Sequence, residues 1–235
     1  MRKITINLAA VAAFCIVVAS PALVSSSCAT PKTEQEDTTI IREDSGITAL
    51  KYSSPEVPAS IEFCGKTIDL SRFDRHERMD RELLAFTYMH STSLQMLKKA
   101  NRYFPIVEPI LKENGIPDDF KYLMVIESNM NPTARSSAGA AGLWQFMQGT
   151  GRDYGLEVNN NVDERYHIEK ATRAACRYLK DAYAKYKDWV AVAASYNAGQ
   201  ARIASQLAKQ DVDDSLDLQL VEETARYVYL SLIHI

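Results

Sequence analysis

From about Glu77 onward the chain alternates polar and apolar residues at helical rather than strand spacing. The stretch RELLAFTYMHSTSLQMLKKANRYF places Leu83, Phe86, Leu94 and Leu97 along one stripe, which predicts a helix with that stripe turned to the core. IVEPILKENG closes on Gly115, a suitable residue just past a helix end. PDDFKYLMVIES opens on Pro117, Asp118 and Asp119, residues favoured in a first helical turn. From Ile168 to Tyr186 the sequence is rich in Ala and Tyr, with Ala171, Ala175, Leu179 and Ala182 on one face, and a further helix is predicted from Trp189 to Ala198, stopped by Gly199. Period-two alternation is nearly absent after Leu70; before it, IEFCGKTIDL (Ile61 to Leu70) suits a short strand or hairpin. The fold class expected is therefore mainly α, with a short β or irregular segment ahead of the helices.

The N-terminal part has a different pattern. Arg2 and Lys3 precede an unbroken apolar run from Leu8 to Ala19, followed by Pro21 and the small-residue stretch Ser25-Ser26-Ser27-Cys28-Ala29. That is the layout of a secretory signal over residues 1–29, and the run is short for a membrane span. Residues 30–60 are rich in Thr, Ser, Pro and Glu without a helical stripe and read as a flexible tether. Residues 61–80 then form a short extension, and 81–235 the principal domain. The final EETARYVYLSLIHI has no terminator and reads either as a helix cut short or as a tail that is not wholly native.

Of the four cysteines, Cys15 lies in the apolar run. Cys28 stands where a lipoprotein cysteine could sit, although Ser25 replaces the Leu usual in a lipobox and cleavage after Ala29 fits as well. Cys64 and Cys176 suit buried thiols, while an exported protein would also permit a bridge between them. No Cys/His grouping suggests a metal, and none is expected. The net charge of −3 and a pI near 5.9 argue against a nucleic-acid partner, which calls for a basic face.

One helical face carries an anomaly. Phe120, Leu123, Met124 and Glu127 stand at i, i+3, i+4 and i+7, so a carboxylate shares a stripe with three core residues. Asn131-Pro132 should end this helix just beyond Glu127, exposing the carboxyl to the negative end of the helix dipole. Burial and dipole both raise its pKa, as a general acid at neutral pH requires. Periodicity by itself equally accommodates, and even favours, an ion pair with Arg135 or Arg173. Downstream, TARSSAGAAGLWQFM holds Gly139 and Gly142 for tight turns, and Leu143, Trp144, Phe146 and Met147, with Gln145 among them, suit either a sugar-binding wall or a packed loop. ASYNAG sets Tyr196 and Asn197 at a helix end.

Four segments in this order, ESNMNPTARSSAGAAGLWQFM, VDERYHIEKATRAACRYLKDAY, WVAVAASYNAG and ETARYV, resemble the lytic transglycosylase domain of the goose-type-lysozyme superfamily, most closely its membrane-bound type-D branch. The resemblance runs from about Arg81 to Leu230. It implies a lysozyme-like helical domain with a cleft, acting on peptidoglycan glycan strands without a cofactor. Glu127, followed by Ser128, then corresponds to the acid/base. Ser136, Gln145, Tyr196, Asn197 and Tyr227 correspond to substrate-binding positions, Tyr227 within a motif that includes Glu223 and Thr224. Trp144 and Ser195 depart from the commoner Met and Ala. The resemblance further implies one Glu closing a 1,6-anhydromuramyl ring; wall-binding LysM modules, frequent in this branch, are not visible. The signal layout points to the periplasm, and a lipid on Cys28 would add membrane attachment, with cleavage after Ala29 the other reading. A hydrolase of the same fold and a non-catalytic wall-binding protein are the alternatives.

Overall fold

The computed structural model describes residues 54–212 and 214–233. The expected signal and residues 30–53 of the expected tether lie outside them. Strands β1 (Ser60–Phe63) and β2 (Lys66–Asp69) form an antiparallel hairpin. Cys64 and Gly65 both take positive φ, 53° and 77°, the conformation that lets a two-residue turn follow the strand twist. Among the described residues eight helices follow: α1 (Phe73–Thr87), α2 (His90–Glu113), α3 (Lys121–Ser128), α4 (Gln148–Asp153), α5 (Ile168–Tyr186), α6 (Trp189–Ala198), α7 (Gln200–Gln210) and α8 (Glu222–Ser231). Short 3₁₀ turns at Asp118–Phe120, Glu164–Tyr166 and Ser215–Asp217 complete a mainly α architecture.

The hairpin belongs to the core. Phe63, Ile68 and Leu70 are buried, the Phe63 ring lies 6.0 Å from that of Phe120, and Phe120 meets Trp189 at 5.0 Å. The boundary expected at Arg81 falls inside α1, so residues 61–80 share one core with the helices. Helix α6 is buried on nearly every side and packs against α5, α7 and α8. On α5 the predicted face of Ala171, Ala175, Leu179 and Ala182 is fully buried, and its small side chains let α2 and α6 approach closely.

One expectation fails. The stripe of Leu83, Phe86, Leu94 and Leu97 is not one helix face: the chain breaks between α1 and α2, and Leu94 and Leu97 are exposed. Met96, Ala100, Tyr103 and Val107 form the buried stripe of α2 instead. That helix also runs through Pro105 and Pro109, each forgoing one backbone hydrogen bond within 24 residues.

An ion-pair cluster joins the first helix to the last 3₁₀ turn. Arg75, buried on α1, donates to Asp214 at 2.9 Å and to Asp217 at 3.0 Å, and Arg72 reaches Asp217 and Asp74. Partial burial pushes the Asp214 and Asp217 carboxyls up, but the hydrogen bonds and guanidinium charges outweigh it and both lie below the usual carboxylate range. Carboxylates held low when folded stabilise above their unfolded pKa, and that stability disappears as pH falls through the folded values. Arg75→Met is thus expected to cost about 1–2 kcal/mol near neutral pH. Its melting temperature should also fall less steeply than wild type between about pH 5 and pH 2, as thermal melts across that range would reveal.

Candidate active site

Helix α3 presents the anomalous carboxylate. Phe120, Leu123 and Met124 are fully buried, as the stripe predicted, while Asp118 and Asp119 form a 3₁₀ turn ahead of the helix. Asn129, with φ 50° and ψ 37°, ends α3 in the left-handed conformation one residue after Ser128, and Lys99 donates to its carbonyl at 2.9 Å. Glu127 therefore lies in the last turn. Glu127 is half-buried, with protein packed around its carboxyl. Desolvation is the chief cause of a pKa pushed up to about 8; a hydrogen bond from Tyr227 works against it, and the charge of Glu223 adds to it.

The expected partners, Arg135 or Arg173, are not the ones found. Arg173 pairs with Glu113 at 2.8 Å, and among the described residues no basic side chain reaches Glu127. Instead the Tyr227 hydroxyl, from buried α8, donates to Glu127 Oε1 at 2.8 Å. Tyr196 of α6 lies within electrostatic reach of Glu127, which together with burial raises its phenol well above the usual value. Sequence reasoning placed no second carboxylate beside Glu127, yet Glu223 is close enough to act on it. The signal was present: Glu223 and Tyr227 stand at i and i+4 and share a helical face.

The loop after α3 explains the remaining motif residues. Gly142 adopts φ +78°, and its N–H donates to Ala134 O at 2.9 Å. Gln145, at φ 48°, uses its amide to donate to the carbonyls of Gly142 at 2.8 Å and Ala134 at 3.2 Å. The Ser136 hydroxyl accepts from Ala140 N at 3.0 Å. Leu143, Trp144 and Phe146 are buried core residues and not the wall of a groove; only Met147 of that set is partly exposed. Trp144 Nε1 donates to Thr172 at 2.9 Å, and its carbonyl accepts from the Tyr196 hydroxyl at 2.8 Å. Asn197 accepts from Thr224 at 2.9 Å, tying α6 to α8. A residue the sequence reading missed holds the loop together: Arg165, fully buried, donates to Gly139 O at 2.8 Å and Phe146 O at 2.9 Å while pairing with Asp163. Asp163 accordingly caps the turn at Glu164–Tyr166. Both Cys64 and Cys176 are free thiols.

This set of groups offers one half-buried carboxyl with its pKa pushed up to about 8, held by a phenol and within reach of the charge of a second carboxylate. Residues 105–217 match the family model described as the Transglycosylase SLT domain. The chain is 31% identical over 157 residues to membrane-bound lytic murein transglycosylase D of Escherichia coli K12, a match spanning 65% of this chain and 34% of that protein. It is 33% identical over 95 residues to peptidoglycan transglycosylase gp16 of Escherichia phage T7, covering 39% of this chain and 7% of that one. Among solved structures, an inactive mutant of lytic transglycosylase Slt from Pseudomonas aeruginosa matches with a TM-score of 0.47 at 23% identity, over 54% of this chain and 22% of that one. The chain thus spans about a third of the length of the first relative. The SLT match takes in Glu127, the Gly142 loop and Tyr196, but β1, β2, α1 and α8, with Tyr227, flank it.

Tyr227→Phe separates the opposing influences on Glu127. Removing a donor that favours the carboxylate should raise the Glu127 pKa further. The alkaline limb of kcat/KM should then move to higher pH, with kcat lowered about ten- to hundredfold by loss of a charge-assisted hydrogen bond of about 1.5–3 kcal/mol. A pH–rate profile of the variant checks both.

Proposed function

We propose that this chain is an exported peptidoglycan lytic transglycosylase that cleaves the β-1,4 bond between N-acetylmuramic acid and N-acetylglucosamine without water. The observation that carries the reading is the half-buried Glu127 carboxyl, held by the Tyr227 hydroxyl at 2.8 Å and pushed up to about 8 by desolvation. Protonated Glu127 gives its proton to the glycosidic oxygen as the C1–O bond breaks. The substrate's 2-acetamido group stabilises the oxocarbenium-like centre. Glu127, now charged and steadied by the Tyr227 hydroxyl, takes the proton from the muramyl 6-hydroxyl as that oxygen closes on C1. The acid is regenerated and a 1,6-anhydro end is released. One group serves as acid and base in turn because its pKa lies near the working pH.

The other positions divide by what they bond. Gln145 holds the loop through the Gly142 carbonyl, and Asn197 holds the junction of α6 with α8 through Thr224. Ser136, partly exposed on the loop, is assigned to the sugar as a hydroxyl, and Tyr196 to the ring face beside Glu127. Export, and attachment through a lipid on Cys28, belong to the same proposal.

Glu223 gives hydrolysis a specific foothold, because a second carboxylate near the acid is what a water-activating mechanism needs. Its charge nevertheless favours a protonated Glu127, which suits the ring-closing route equally. Mass spectrometry of digested peptidoglycan distinguishes them: anhydromuramyl ends are expected, and reducing ends in their place would reject the transglycosylase reading in favour of the hydrolase.

A further inference from the structure

Glu82 has no surface exposure, lies on α1 outside the SLT match, and takes no part in the chemistry above. A carboxylate so buried is costly unless it is paired and fully bonded. Its Oε1 accepts from Arg226 Nε at 2.8 Å and its Oε2 from Arg226 Nη2 at 3.0 Å, a two-pronged contact, while Arg81 Nε adds a bond at 3.0 Å. Arg81 in turn reaches Glu222 at 2.6 Å. A forked contact fixes direction as well as distance, which a single ammonium contact does not.

What it fixes is α8. Arg226 directly precedes Tyr227, whose hydroxyl meets Glu127 at 2.8 Å, and Thr224 of the same helix holds Asn197 at 2.9 Å. Helix α8 has ten residues and no side-chain cap at its N-terminus, so it depends on its neighbours for register. Among the described residues, the other ion pair between α1 and α8, Arg81 with Glu222, engages a single carboxylate oxygen, whereas Glu82 and Arg226 meet at two. We propose that Glu82 and Arg226 form a positioning couple that sets the register of α8 and so places the Tyr227 hydroxyl on Glu127. The couple makes α1, ahead of the family domain, part of the catalytic scaffold, and it rests on Glu127 as acid/base.

The groups facing Glu127 are Tyr227 and Glu223 from α8 and Tyr196 from α6, so a slipped α8 changes two of the three. The test uses the full chain with Glu82→Gln, Arg226→Lys, Tyr227→Phe and the double variant Glu82→Gln/Tyr227→Phe, each checked for folding by circular dichroism. Either member of the couple, once altered, should lower kcat about ten- to hundredfold with KM nearly unchanged. In the Tyr227→Phe background, Glu82→Gln should lower kcat by no more than about twofold further, because both act through one contact. The Glu127 carboxyl, followed by carbon-13 NMR, should shift its titration midpoint in Glu82→Gln in the same direction as in Tyr227→Phe. The proposal is overturned if the two losses multiply, or if a folded Glu82→Gln titrates like wild type. Should Glu82→Gln not fold, Arg226→Lys, which keeps the charge and loses the fork, decides by the same measures. If neither folds, the pair is an element of the fold and the positioning role is rejected. A wild-type chain inert on peptidoglycan would instead reject the proposed function, leaving the NMR midpoint to decide the couple.

Discussion

Glu127→Gln is expected to lower turnover of peptidoglycan about a thousandfold, the scale set by losing a positioned proton donor and acceptor. The amide keeps the shape and can still accept the Tyr227 hydroxyl, so the loss should be chemical and not structural. Stability supplies the internal control. A carboxyl raised to about 8 in the folded chain binds its proton more tightly than in the unfolded chain. Wild-type stability should therefore decline as pH rises from the unfolded value of about 4.3 through 8. The glutamine variant has no such proton to lose and should melt at or above the wild-type temperature at alkaline pH. Assays of turnover alongside melts at two pH values would check both halves. A variant that kept near-normal turnover would remove Glu127 from the mechanism.

Gly142→Ala carries the largest expected effect on stability. A Cβ at this position would sit 1.9 Å from the Arg165 carbonyl oxygen and 2.8 Å from its carbon, backbone atoms with little freedom to move. The residue also holds φ +78°, a conformation that costs an L-residue about 1–2 kcal/mol. Adding about 1–3 kcal/mol for the forced displacement, the substitution should destabilise by about 2–5 kcal/mol and lower the melting temperature by about 5–20 °C. Gly139→Ala is the comparison, since Gly139 has φ +88° but nothing within 4 Å of the added atom. It should cost only the conformational share. Equal losses at the two glycines would show that the Arg165 contact is not what matters.

Local features were the most legible. The bounds of α5 and α6 follow from the spacing of alanines and from Gly199, and the alternation of Ile61 to Leu70, which suited a short strand or a hairpin, resolves as a hairpin turning at Cys64-Gly65. The odd carboxylate on the stripe of Phe120, Leu123 and Met124 was visible for the same reason, because periodicity reports which face a side chain shares. What periodicity cannot report is who meets that face. Arg165 under the loop, Tyr227 on Glu127, and Arg226 on Glu82 are contacts between segments far apart in the chain, with 144 positions separating the last pair. The aromatic run around Trp144 was ambiguous at the level of composition, since a groove wall and a core layer draw on the same residues. Burial resolves it as core. Leu94 and Leu97 misled because a break between α1 and α2 resets the helical phase.

The central claim is that Glu127 is an acid held protonated near neutral pH. Carbon-13 NMR of the side-chain carboxyls, with Glu127→Gln to assign the resonance, measures this directly. The expected midpoint is about 8. A midpoint near the ordinary glutamate value of about 4.3 would contradict the account, because Glu127 would then be charged at working pH with no proton to give.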